Sequence, residues 1–379
     1  MNKISITNRV RVLENVVIHV KRSVPVSGGK ILVHIGDEVS PWDILGEGQS
    51  TTGFRVFHLA QELKVSPKDV IKFLKRQVGH NIYSGELLAE KPGTWGFGKK
   101  TILAPVDGIV DFYDEHNGDL RLKLLPRLLK TASGVFGIVD KVDVTRGEVT
   151  LRTMASVVYG IFGSGKEREG VIKVLGNPGE LVGTRHLTAD FTGKIMVGGG
   201  LIMKEALEKA RAIGVAGIIS GGVNAEDYKA TAGGEWFPVR KRWSDIGLTL
   251  IITEGYGAVP VGEDIFTILK RFDGKYALVD GNQAKIILPS FSENCMIDIR
   301  KVKLPMGTEV EPSSLQKTTE LNIGLAVRIV SPTFLGVQGV VEAVDNTPTK
   351  LPSGINTFLV TVETKNQKLR VPFENLEVI

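Results

Sequence analysis

The chain carries a single cysteine, Cys295, in 379 residues. An intrachain disulfide is excluded, and with no CxxC pair or His/Cys cluster at ligand spacing no metal set is expected; a reducing cytoplasm is the natural setting. Between Asn294 and Met296, Cys295 reads as buried packing rather than as a nucleophile. Long apolar runs are missing too. None approaches the roughly 20 residues of a membrane span, so no membrane association is expected, and the first 22 residues break their apolar positions with charges too often for a signal segment. Aromatic residues are sparse at 7%, and the formal charge of +5 is small for this length. The remaining composition, 42% hydrophobic and 23% charged, is that of a globular protein of two to four domains.

What is abundant is glycine, placed after short apolar stretches. Residues 193–197 run into Gly198, Gly199 and Gly200; residues 215–220 into Gly221 and Gly222; residues 248–252 into Thr253, Glu254, Gly255, Tyr256 and Gly257. Each is followed by a helical pattern. In an open α/β sheet, loops at the carboxyl ends of parallel strands share one rim, where helix N-termini present free N–H groups. Such a rim suits a small anionic or polar ligand, or a partner's acidic loop, held by these glycines, Thr253 and Glu254. Glu254 is the one candidate base, with capping of its own turn as the alternative. No cofactor is implied, and close packing of strand on helix is the other use for such glycines.

Near the N-terminus, residues 35–48 (IGDEVSPWDILGEG) and 78–91 (VGHNIYSGELLAEK) align at an offset of 43, with Gly36/Gly79, Val39/Ile82, Leu45/Leu88 and Glu47/Glu90 in register. Turn glycines before alternating apolar residues predict short strands, and Asn117-Gly118 predicts a hairpin. Residues 24–124 resemble the barrel-sandwich hybrid of lipoyl and biotinyl domains, through "GDxVxxGxxL" and "APxxGxV" patterns. The lysine-presenting hairpin of those carriers has no counterpart, since Lys91, Lys99 and Lys100 lack its context. The resemblance therefore implies a structural barrel.

Between the repeats, residues 54–78 hold six Lys/Arg against two acids. Leu59, Leu63, Val70, Ile71 and Leu74 have the spacing of two short amphipathic helices, with Ser66-Pro67 opening the second. The stretch resembles half of a helix-turn-helix, or the small helical domain at the start of bacterial translation initiation factor two. Lys68, Lys72, Lys75 and Arg76 would then meet RNA phosphates; the alternative is a solvated helix face. Residues 160–166 (GIFGSGK) fit a phosphate-binding loop, but Glu167 stands where Ser or Thr must hold magnesium, and a β-branched run follows. A hairpin with Ser164-Gly165 at its tip is expected instead.

Residues 187–290 resemble the swivelling β/β/α domains of PEP-utilising enzymes, on "GVAGIISGG", "TLIITEGYG" and "DGKYALVDGNQAKIIL". The catalytic histidine of that family has no counterpart, because His186 precedes the domain. Within it, Trp236, Phe237, Arg240, Arg242 and Trp243 combine stacking rings with guanidinium groups. They suit own packing, a protein interface or single-stranded nucleic acid. Residues 322–379 resemble KOW domains, through Val327-Arg328-Ile329-Val330, Gly336, Gly339-Val340-Val341, Val371-Pro372 and Asn375-Leu376-Glu377. A small five-stranded SH3-like barrel is implied. Its five Lys/Arg balance five acids, which points to protein contacts or a structural role rather than RNA.

The expected fold is multidomain β and α/β: a barrel-sandwich hybrid over 1–130 with a helical insert at 54–78, a β-rich connection over 131–186, a central α/β domain with Gly-rich loops over 187–290, a linker over 291–321 and a C-terminal SH3-like barrel over 322–379. The expected function is non-catalytic binding or scaffolding of protein partners. An RNA-associated factor and an enzyme acting at the glycine rim are the alternatives.

Overall fold

The computed structural model describes residues 4–8, 10–25, 29–49, 53–93, 99–126, 128–231, 245–306 and 317–379. They are rich in β-sheet, in several separate sheets. No helix among them is long and apolar enough to cross a membrane. The chain divides into two compact units, one of Met1–Val20, Gly134–Ile138 and Arg152–Ile379, the other of Lys21–Ser133 and Val139–Leu151.

In the second unit the repeat is visible bond by bond. Gly36 and Gly79 both adopt the left-handed conformation, at φ +95° and +90°, which only glycine enters without strain. Gly36 N–H donates to Val139 O and Gly79 N–H to Val110 O; Leu32 N–H donates to Leu45 O and Lys75 N–H to Leu88 O; Ser133 N–H donates to Asp43 O and Ala104 N–H to Glu86 O. The first members of these bonds are separated by 43 residues in one half of the fold and by 29 in the other. Two copies of one β unit are therefore present. Strand Ile44–Gln49 pairs with Leu128–Ala132, while Leu87–Lys91 pairs with Lys100–Leu103. One copy lies inside the other: residues 24–49 complete their pairing with 128–151, and residues 53–124 form the copy between them. Its second half, Gly108–Asp114 (GIVDFYD), matches Gly137–Asp143 (GIVDKVD).

The helical stretch belongs to the inner copy. Leu59–Leu63 is α-helical and Pro67–Phe73 a 3₁₀ helix. Leu59, Ala60, Leu63 and Val70 enter a core with Ile82, Leu88, Val110, Leu120 and Leu122. Ile71, expected on the apolar face, is more than half exposed; three residues per turn rotate it away from Val70.

The first unit is built on a sheet whose central strands Arg168–Val174, Ile195–Val197, Gly217–Val223 and Thr249–Tyr256 run parallel. Antiparallel Phe162–Ser164 flanks one side, and Tyr276–Asp280, then Lys285–Pro289, flank the other. Helices cover both faces. Lys204–Ile213, stopped by Gly214 in the left-handed region, and Ala225–Thr231, opened by Asn224 Oδ1 accepting from Glu226 N–H, bury Ala206, Leu207, Ala210 and Tyr228 in one core. Glu263–Arg271 buries Ile265, Phe266, Ile268 and Leu269 in the other.

The expected Ser164-Gly165 hairpin does not form. Phe162–Ser164 pairs with the far side of Thr249–Tyr256, whereas Arg168–Val174 sits between Ile195–Val197 and Tyr276–Asp280. The glycines serve close backbone approach instead: a Cβ on Gly165 would lie 2.2 Å from Leu248 O, and one on Gly281 2.0 Å from Ser164 O.

The C-terminal residues form a five-stranded antiparallel sheet, ordered Lys368–Pro372, Leu359–Thr364, Gln338–Val344, Ala326–Ile329, Leu376–Val378. Ile6, from strand Ser5–Asn8, joins its core. That strand pairs with Lys317–Glu320, and Cys295–Lys301 is a helix packing Cys295, Met296 and Ile299 against Ile138. The expected linker over 291–321 thus contains a helix and a strand. Its apolar residues at Cys295, Met296 and Ile299 have the spacing of one helix face.

Candidate functional site at the strand ends

The glycines expected on an open rim lie largely inside strands. Gly221 and Gly222 belong to Gly217–Val223, and Gly255 belongs to Thr249–Tyr256, opposite Gly222. The chain itself crosses over them: Gly257 N–H donates to Val223 O, Val259 N–H to Gly200 O and Val261 N–H to Pro178 O. A Cβ on Gly221 would lie 2.1 Å from Val259 O, one on Gly222 1.9 Å from Gly257 O, and one on Gly199 2.3 Å from Glu180 N. Gly198 N–H is spent on Ile219 O. Of the set only Gly257 is exposed, with open space where a side chain would begin. The glycines thus let three strands and a returning segment meet backbone to backbone.

The polar groups at these strand ends are engaged internally. Buried Thr253 Oγ1 donates to Ser220 O at 3.4 Å, and Ser220 Oγ contacts Gly199 O and Gly222 O at 3.1 and 3.0 Å. Glu254, 1% exposed, accepts from four donors: Arg11 Nη1 at 3.0 Å, Arg11 Nη2 at 2.6 Å, Gly262 N–H at 2.8 Å and Arg328 Nη1. Gly262 is the residue before helix Glu263–Arg271. The carboxylate therefore accepts from the N–H that opens that helix and from two arginines at once.

Two of its partners were not expected. Arg328, fully buried, lies in the C-terminal sheet and donates to both Glu254 and Glu377. Glu377 faces it in register on the adjacent strand. Arg11 lies just before strand Val12–Ser23 and also reaches Asp264 Oδ1 at 3.2 Å. Both Arg328 and Glu377 lie in the KOW-like pattern, but their pairing is set by the strand register. Nothing local marks Arg11. Beside this network, Gly255 and Gly336 touch through their backbones, and Tyr256 N–H donates to Leu335 O. The C-terminal sheet is fastened to the parallel sheet at the point where a ligand was expected.

A cleft of about 610 Å³ opens next to this network, with Arg11, Glu254, Gly262, Asp264 and Gln338 among its lining residues. Three of its charged side chains are bonded together, Arg11 donating to both Glu254 and Asp264.

The basic residues of the helical stretch are partly neutralised. Lys72 pairs with Asp69 at 2.7 Å and Arg76 with Glu86 at 3.1 Å, while Lys68 and Lys75 are exposed. The Tyr83 N–H, with Arg76, holds the Glu86 carboxyl below its ordinary value. Trp236, Phe237, Arg240, Arg242 and Trp243 lie outside the described residues. Lys166, of the phosphate-loop-like sequence, pairs with Asp245 at 3.0 Å. Burial raises the Cys295 thiol above its usual range, against a bond with Ser290, the setting of an unreactive packed thiol.

Compared with known protein families and with curated proteins, the chain matches none.

Proposed function

We propose that the chain is a non-catalytic cytoplasmic binding or scaffold protein that contacts protein partners through its surfaces. In this reading the nested copies are barrel-sandwich hybrids, the parallel sheet and its helices a swivelling-type α/β domain, and the C-terminal sheet a KOW-type SH3-like barrel. The observation that carries it is the state of Glu254. The one acid sited where chemistry was expected is enclosed by two arginines and a backbone N–H, so it serves as a joint. Backbone packing accounts for the glycines around it.

A thermal-shift screen tests the reading, with phosphorylated metabolites, nucleotides and single-stranded RNA at low and high salt. Little stabilisation by any of them is expected. A metabolite present at 100 times its Kd would add about 2.7 kcal/mol. Such a shift, abolished by a larger residue at exposed Gly257, would replace this reading with a small-anion site. A shift given by RNA and lost in salt would replace it with the RNA-associated factor.

A further inference from the structure

Among the described residues, the inner copy of the repeated unit has an unpaired sheet edge. Its four-stranded sheet is ordered Phe54–Phe57, Asp119–Leu124, Gly108–Asp114, Asn81–Ile82, so Phe54–Phe57 is terminal. Its register is Phe54 with Lys123, Arg55 with Leu122, Val56 with Arg121 and Phe57 with Leu120. Leu124 N–H donates to Gly53 O. In an antiparallel ladder bonded pairs alternate, so Arg55 and Phe57 bond inward. The N–H and C=O groups of Phe54 and Val56 point away from the sheet.

The side chains of these two residues are also uncovered, Phe54 at 56% and Val56 at 49%. They share the outer face with Phe112, half exposed, and with Arg121, whose guanidinium carbon lies 4.7 Å from the Phe54 ring centre and 5.4 Å from that of Phe112. An edge with outward backbone groups and apolar side chains is a template for strand addition, which proteins ordinarily blunt with charge, proline or a bulge. The charges on the edge strand and opposite it on its neighbour, Arg55, Arg121 and Lys123, are basic. Lys123 stands opposite Phe54, and Arg121, opposite Val56, meets Asp111 through Nε at 2.6 Å.

The geometry points to Phe54–Phe57 as a docking edge for an extended segment of another protein, one that alternates apolar and acidic residues. This rests on the protein-binding reading above and names its surface and partner chemistry. Apolar residues of the added strand would lie with Phe54, Val56 and Phe112, and an acidic residue opposite Arg55. A second copy of this chain fits poorly. Pairing two edges through their outward residues sets Phe54 against Val56 and Arg55 against Arg55, and like charges directly opposite destabilise a pair.

The test uses the full chain and fluorescein-labelled peptides read by anisotropy: a seven-residue strand alternating Val and Glu, the same strand with Lys for Glu, and an acidic strand interrupted by proline. Saturable binding of the acidic strand alone is expected. Val56→Pro removes an outward N–H without touching the inward ladder and should weaken that binding at least tenfold. Arg55→Glu, which keeps the backbone intact should the proline variant misfold, should reverse the preference toward the Lys strand. Failure of the acidic strand to saturate, binding unchanged in both variants, or equal binding of the proline-interrupted strand overturns the proposal. Sedimentation showing self-association that Val56→Pro abolishes overturns it in favour of a second copy. Failure here leaves the broader binding reading standing, because that reading is judged by the small-anion and RNA screen.

Discussion

Removing Arg328 should loosen the C-terminal sheet far more than a surface arginine would. Its guanidinium makes two charge-assisted bonds in a site closed to solvent, to Glu254 and Glu377, and each such bond contributes about 1.5–3 kcal/mol. The two carboxylates fare differently in Arg328→Ala. Glu254 keeps Arg11 and the Gly262 N–H. Glu377 loses the arginine, and its other oxygen is already buried without a hydrogen-bond partner. Breaking one side of a buried pair costs about 3–5 kcal/mol. We therefore expect about 4 kcal/mol, or roughly a thousandfold faster exchange at one decade per 1.36 kcal/mol. Hydrogen exchange followed by mass spectrometry in strands Ala326–Ile329 and Leu376–Val378 reads it locally, which matters in a chain whose domains need not unfold together. The sign of a second change is the sharper check. Arg328→Ala with Glu377→Leu should be more protected than Arg328→Ala alone, by about 1–3 kcal/mol, because the stranded carboxylate is gone. Exchange accelerated less than tenfold, or a double variant worse than the single, would refute this account of the network.

Two other outcomes follow from single positions. Gly222→Ala would place a Cβ 1.9 Å from Gly257 O and should cost about 3 kcal/mol or more, since backbone has nowhere to yield, whereas Gly79→Ala, with open space but φ +90°, should cost about 1–2 kcal/mol; thermal unfolding of the two variants compares them. Burial acts to raise the Asp245 carboxyl, but bonds from Arg168, Lys166 and the Gly247 N–H outweigh it and bring it from 3.8 to about 2. A carboxyl depressed on folding adds stability above its ordinary value and loses it as pH falls, so Asp245→Asn should flatten the acid limb of stability between about pH 4 and pH 2, and an unchanged limb would remove the ion pair from the balance.

Much of the first unit was legible because its signals are local. The amphipathic spacing of residues 204–213, Gly214 after them, Asn224 before a helix and Asp280-Gly281 between strands all do locally what their chemistry predicts. The site was harder to read. Gly221, Gly222 and Gly255 carry the same residue type whether they face a ligand or another backbone, and only the return of residues 257–261 decides between the two. Arg328 was hidden for a related reason. In the strand Val327-Arg328-Ile329 a charged residue reads as the solvent face, yet this one turns inward to acids 74 and 49 positions away.

The repeat was half legible for a topological reason, and that reason makes a prediction. A search at constant offset finds residues 35–48 and 78–91, but the second halves appear in the opposite order, inner copy first, so their offset runs the other way and no single period covers both. The interruption enters the outer copy where the chain can best tolerate it. Gln49 and Leu128, on either side of the inner copy, are direct partners across an antiparallel ladder, so the two ends of the insertion already stand one strand spacing apart. Replacing residues 50–127 by Asn-Gly, the dipeptide suited to a two-residue hairpin turn, should therefore join Ile44–Gln49 to Leu128–Ala132 in the existing register. The shortened chain should keep exchange protection in those strands and at Val139, whose N–H donates to Asp37 O. It should also refold faster, because the outer copy would no longer wait for contacts across a long intervening loop. Loss of protection in Ile44–Gln49 and at Val139, with the parallel sheet still protected, would show that the outer copy depends on the inner one for more than connection.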